Sequence, residues 1–103
     1  MNKKYTITYL PLFYNDMDKI TKYIAKNLKN RIAADNLISE VMQKIEKRAY
    51  NPNCYEKYSS SIKRKNTYYR LYVKNYTIFY IIKDNIMEVR RILYNKRNFD
   101  NLI

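Results

Sequence analysis

Tyr68-Tyr69-Arg70-Leu71-Tyr72-Val73-Lys74-Asn75-Tyr76-Thr77-Ile78-Phe79-Tyr80-Ile81-Ile82 decides the fold. Both halves are dense in aromatic and β-branched residues, and Lys74-Asn75 is all that separates them, so the stretch reads as a β-hairpin. A second turn at Lys83-Asp84-Asn85 is built from residues that tolerate turn geometry, and Ile86 to Leu93 follows as a third strand. The three strands form an antiparallel meander. Two-residue turns would set Tyr72 opposite Thr77, Arg70 opposite Phe79, and Phe79 opposite Arg90.

Alternation along the strands then sorts the side chains into two faces. Tyr69, Leu71, Val73, Tyr76, Ile78, Tyr80, Ile82, Met87, Val89 and Leu93 make one face apolar enough to be covered by helices. The other carries Tyr68, Arg70, Tyr72, Thr77, Phe79, Ile81, Glu88, Arg90, Ile92 and Tyr94. Guanidinium groups among aromatic rings suit phosphates and unstacked bases.

Upstream, Tyr5-Thr6-Ile7-Thr8-Tyr9-Leu10 reads as a first strand that ends at Pro11. Phe13, Met17, Ile20, Ile24 and Leu28 recur at helical spacing, and Ala34, Leu37, Ile38, Val41, Met42 and Ile45 mark a second amphipathic helix to about Arg48. Asn30-Arg31 is the short connection, so the helices form an antiparallel hairpin. Asn51-Pro52-Asn53 ends the second helix, and residues 51–65 form the longest irregular segment. The chain has no glycine. Asn15, Asn30, Asn75 and Asn85 are expected to supply the turns that glycine usually makes. The fold class is α+β: an N-terminal strand, a two-helix hairpin and a three-strand antiparallel meander packed on the helices, giving an antiparallel sheet of about four strands.

At 103 residues the chain fits one domain, 1–103, with a modest single core. No apolar run is long enough to cross a bilayer, and the Met1-Asn2-Lys3-Lys4 start has no apolar signal stretch, so the expected location is the cytoplasm with no membrane partner. One cysteine, Cys54, and no histidine exclude an internal disulfide, Ser-His-Asp chemistry and the usual zinc ligand sets, so no cofactor and no metal is expected. Lys and Arg outnumber Asp and Glu by 21 to 9, which points to a polyanionic or acidic partner, although a chain rich in Asn, Ile, Lys and Tyr also accumulates lysine for compositional reasons.

Asp16 with Asp18, and Glu40 with Glu46, lie at spacings that do not converge on a substrate, and all four read as solvated helix residues. The basic run Lys63-Arg64-Lys65 precedes the hairpin and, with Lys74, Arg90 and Lys96, makes up the candidate nucleic-acid-binding set. Arg70 has a plainer reading as a cation-π partner of Phe79 and Tyr72. Arg91 reads as a structural or ion-paired residue, because alternation places it on the covered face.

The order strand, helical hairpin, loop, meander and basic tail resembles the RelE/ParE superfamily of bacterial toxin-antitoxin toxins over nearly the whole chain. Residues that carry the resemblance are Arg70-Leu71-Tyr72-Val73-Lys74-Asn75-Tyr76-Thr77-Ile78-Phe79-Tyr80, similar to the family's arginine strand, turn and Tyr-x-x-x-Tyr strand, and Val89-Arg90-Arg91-Ile92-Leu93-Tyr94-Asn95-Lys96-Arg97. The resemblance implies a small growth-arresting toxin held in a hetero-oligomer by a cognate antitoxin. Two activities occur among such toxins: cleavage of messenger RNA on the ribosome, and poisoning of DNA gyrase without nuclease chemistry.

In the ribonuclease branch, metal-free cleavage must activate the 2′-hydroxyl, neutralise the phosphorane and protonate the leaving oxygen. Carried over by position, Arg70 and Arg97 would stabilise the phosphate and Tyr94, or else Tyr72, would act as acid or base. Thr77 stands where ribonuclease members place an arginine, Tyr68 replaces a second basic residue, and Ile103 lies near a terminal tyrosine of some members. Loss of one preorganised donor lowers rates by about 10²- to 10³-fold, so Thr77 weighs against efficient cleavage. A tyrosine with a pKa near 10 is also a poor base at neutral pH. Two further readings stay open: a non-catalytic basic module that binds RNA or DNA, and a degenerate toxin that only binds its antitoxin.

Overall fold

The computed structural model describes residues 3–58 and 64–103 and has the expected α+β order. Strand β1 (Thr6–Tyr9) leads into helix α1 (Pro11–Lys22), a π-helical turn (Tyr23–Asn27) and helix α2 (Arg31–Arg48), then β2 (Tyr69–Val73), β3 (Tyr76–Lys83) and β4 (Ile86–Tyr94). Spatial order in the sheet is β1-β4-β3-β2. The meander is antiparallel, but β1 lies parallel to β4, with Thr6 beside Ile86 and Tyr9 beside Val89. The four-strand sheet is therefore mixed rather than antiparallel throughout, because the chain spends both helices returning across the sheet before β2 begins.

Pro11 opens α1, where its missing N–H is not needed and its fixed φ suits a helix. Past Lys22 the backbone widens into the π-helical turn, which rotates the apolar stripe. Leu28, expected on that stripe, is consequently exposed. Lys29 then takes a left-handed φ of 50°, and Asn30 caps α2 by accepting the Ala33 N–H at 3.0 Å. Left-handed backbone also falls on Lys74 and Asp84, so in all three connections the residue before Asn30, Asn75 or Asn85 makes the turn, and not the asparagine.

Phe13 from α1 and Leu37, Val41 and Ile45 from α2 pack on Leu71, Val73, Ile78, Tyr80, Met87, Val89 and Ile92 of the sheet. Each fully buried side chain of this size contributes roughly 1.5–3 kcal/mol. Arg48 at the end of α2 ties helix to sheet: its Nη1 donates to the Arg70 carbonyl and to the Tyr80 hydroxyl, both at 2.9 Å. Tyr80 in turn donates to the Pro52 carbonyl at 2.7 Å. Burial raises the Tyr80 pKa, partly offset by Arg48.

The register of β4 departs from simple alternation. Tyr72 faces Thr77 and Arg70 faces Phe79 as expected, but Phe79 faces Arg91 and Tyr80 faces Val89, leaving Arg90 as the extra residue of a β-bulge. One added residue exchanges the faces of everything beyond it. Ile92 therefore joins the helix-side core, Leu93 moves to the other face, and Tyr94 turns toward the helices, where its ring meets Tyr76 at 5.8 Å.

The second face is not an open platform. Tyr68, Phe79, Ile81 and Leu93 form a second buried cluster, covered by Tyr58 and by Phe99, Leu102 and Ile103 around the 3-10 turn Phe99–Asn101. Phe99 meets Phe79 edge-on at 4.9 Å. Among the described residues no helix is long and apolar enough to cross a membrane.

Candidate functional site

Arg70 sits on the outer strand β2, where residues 56–58 run alongside: its N–H donates to the Glu56 carbonyl at 3.1 Å and Lys57 bridges to Tyr69. Its guanidinium is ion-paired to the Glu56 carboxylate and lies 5.4 Å from the Tyr58 ring and 5.6 Å from the Tyr72 ring. Phe79, the partner expected from pairing, is instead engaged by Tyr58 and Phe99. The Arg70 Nε is buried without a hydrogen-bond acceptor among the described residues. Tyr72 points its hydroxyl at Glu56, 3.2 Å from Oε2, and burial followed by the neighbouring carboxylate raises its pKa against the opposing pull of Arg70. A raised pKa makes Tyr72 a worse base still.

Tyr94 and Arg97 lie elsewhere. Together they line a small cavity of about 90 Å³ with Asp16, Lys19, Ile20, Ile92 and Leu93, on the α1 side of β4. Strand β3 separates β4, which leads to Arg97, from β2, which carries Arg70. The three residues carried over as a catalytic set do not converge.

Thr77 is 1% exposed, and its hydroxyl is 2.6 Å from the Asn95 side-chain oxygen. The position where an arginine would reach a phosphate is thus closed by Asn95, whose N–H also donates to the Asn75 carbonyl at 2.9 Å.

The candidate nucleic-acid-binding residues disperse in the same way. Lys63 falls outside the described residues. Arg64 holds the C-terminal turn, donating to the Ile103 carbonyl at 2.8 Å and to the Asp100 carbonyl. Arg90 pairs with Glu88 at 2.7 Å and lies 5.6 Å from the Tyr68 ring. Lys74 is 3.8 Å from Glu40, while Lys65 and Lys96 are exposed.

Two residues outside the candidate set organise this region. Asp16, expected on a solvated surface, is buried: its carboxylate takes two hydrogen bonds from Arg91, at 2.7 and 2.9 Å, and the Ile92 N–H at 3.2 Å. It stands where β1 has stopped pairing with β4 and so satisfies the strand edge that β1 leaves open. The pair also raises the Arg91 pKa, and Arg91 donates in addition to the Leu102 carbonyl. The other is Arg48, stacked 3.5 Å from the Tyr55 ring centroid. Among the described residues no group of His, Cys, Asp and Glu is placed to hold a metal ion.

The model of the ParE toxin of the type II toxin-antitoxin system, parDE, matches residues 7–99. No curated protein sequence matches the chain. Among solved structures it is similar to the chromosomal ParDE TA system from P. aeruginosa, with a TM-score of 0.71 and 11% identity over 88% of this chain and 96% of that one. It is also similar to the RelB-RelE antitoxin-toxin complex from Methanococcus jannaschii, with a TM-score of 0.49 and 21% identity over 93% of this chain and 99% of that one. The expected RelE/ParE fold is the observed one, and the chain belongs to the ParE toxin family of type II toxin-antitoxin systems.

Proposed function

We propose that this ParE-type toxin arrests growth by binding DNA gyrase and trapping its cleaved DNA, and that it does not cut RNA. The observation that carries this reading is the dispersal of the ribonuclease set: Arg70 is neutralised by Glu56, Thr77 is sealed under Asn95, and Tyr94 with Arg97 sits on the α1 side of β4. General acid–base cleavage requires donor, acceptor and charge clamp within hydrogen-bond reach of one phosphate. A surface that works by docking has no such requirement.

A cognate antitoxin completes the system, as the family's type II toxin-antitoxin description implies. An acidic partner is suited to a chain with a formal charge of +12.

Purified chain added to gyrase and supercoiled plasmid is expected to accumulate linear, gyrase-linked DNA, and addition to translating ribosomes is expected to leave the messenger intact. Messenger cut in the ribosomal A site, lost in Arg70→Ala and Arg97→Ala, would overturn the proposal.

A further inference from the structure

The end of α2 and the outer strand β2 enclose a groove of about 290 Å³ lined by Lys44, Lys47, Arg48, Tyr55, Leu71 and Tyr72. We propose that this groove binds an unpaired stretch of nucleic acid, stacking a base on Tyr72 and Tyr55 and holding the flanking phosphates with Lys44, Lys47 and Arg48.

The two tyrosines are 47% and 49% exposed, so each ring offers an open face. Tyr72 is pinned by its hydroxyl to Glu56 and flanked by Arg70, while Tyr55 has one face against Arg48. Each ring is thus held in place before a ligand arrives, and a preset aromatic face accepts any base without regard to sequence.

The charges agree. Arg48 gives only Nη1 to the fold and bonds no other described group through its remaining nitrogens. Lys47 is exposed and makes no ion pair among the described residues. The acids nearby are already committed: Glu40 is shared by Lys44 at 3.3 Å and Lys74 at 3.8 Å, and Glu56 is paired with Arg70. What faces the groove is net positive, and a phosphate ester is the anion that arrives with a flat ring attached.

This inference rests on the groove and not on the choice of gyrase as target, so the test uses neither gyrase nor ribosomes. Anisotropy of a labelled oligothymidylate, titrated with the purified chain over a salt series, is expected to give saturable binding that weakens with salt by roughly 0.7 log units per log unit for each phosphate held. Lys44→Ala with Lys47→Ala should remove roughly two phosphates' worth of that slope. Tyr72→Ala should weaken binding by roughly 5- to 100-fold with the slope unchanged, and Tyr72→Phe, which keeps the ring and loses only the Glu56 tether, should lose clearly less than Tyr72→Ala. Lys22→Ala with Lys26→Ala, at the far end of the helical hairpin, removes the same charge and should matter little. Equal losses from the two lysine pairs, or no loss in Tyr72→Ala, would overturn the proposal by assigning the attraction to overall charge. Displacement by an oligoglutamate peptide as readily as by unlabelled oligonucleotide would overturn it in favour of an acidic polypeptide.

Discussion

Asp16 shows at the level of one residue why side-chain roles were harder to read than secondary structure. Its carboxylate answers Arg91, 75 positions away, and the Ile92 N–H, and neither partner is visible in the local pattern of α1. A helix face with Asp16, Asp18 and several lysines reads as solvated, and Asp18 does sit on the surface, paired with Lys22. Removing one member of a buried pair leaves the other uncompensated. Asp16→Ala should therefore lower unfolding stability by about 3 kcal/mol, measured by urea denaturation. A change within about 0.5 kcal/mol, the range of ordinary surface substitutions, would mean that Arg91 finds another acceptor. Arg70 makes the complementary point: its position on β2 was legible, yet its neutralisation by Glu56 depends on an irregular segment whose path no periodicity describes.

Between elements, hairpin pairing and the helical stripes were legible because period-2 and period-3.6 patterns are local. The bulge at Arg90 was not, since nothing in Glu88-Val89-Arg90-Arg91-Ile92 distinguishes an inserted residue from a paired one. Its effect is large: it moves Tyr94 from the arginine-bearing face to the helix side and brings Leu93 under the C-terminal turn. That turn was expected only as a basic tail. Phe99 there fills the space over Phe79 and Tyr58, at 4.9 and 6.1 Å between ring centroids. Phe99→Ala should destabilise by about 2–3 kcal/mol, somewhat less than a fully buried phenylalanine, and should make Phe79 and Leu93 accessible to a hydrophobic dye. Unchanged stability and no dye binding would mean that the turn merely rests on the sheet.

For the molecule as a whole, the thirteen tyrosines set the alkaline limit. Burial raises the pKa of Tyr9, Tyr58, Tyr72, Tyr76 and Tyr80 above the usual value near 10. The unfolded chain releases these protons first, so stability is fully present below about pH 10 and falls as pH rises through the folded values. Urea midpoints should hold level between pH 8 and about 9.5 and drop above 10; a midpoint that rises there would contradict this. The same whole-molecule view separates fold from activity. Architecture followed from patterning and the family resemblance, whereas the target depends on whether a few cations and tyrosines converge, which is a property of the assembled sheet. The most direct test of the account is the order in which DNA, RNA and protein synthesis stop in pulse-labelled bacterial cells after induction of this chain alone. The account expects DNA synthesis to fail first, with a DNA-damage response, while protein synthesis continues. Protein synthesis failing first, with cut messengers, would contradict it.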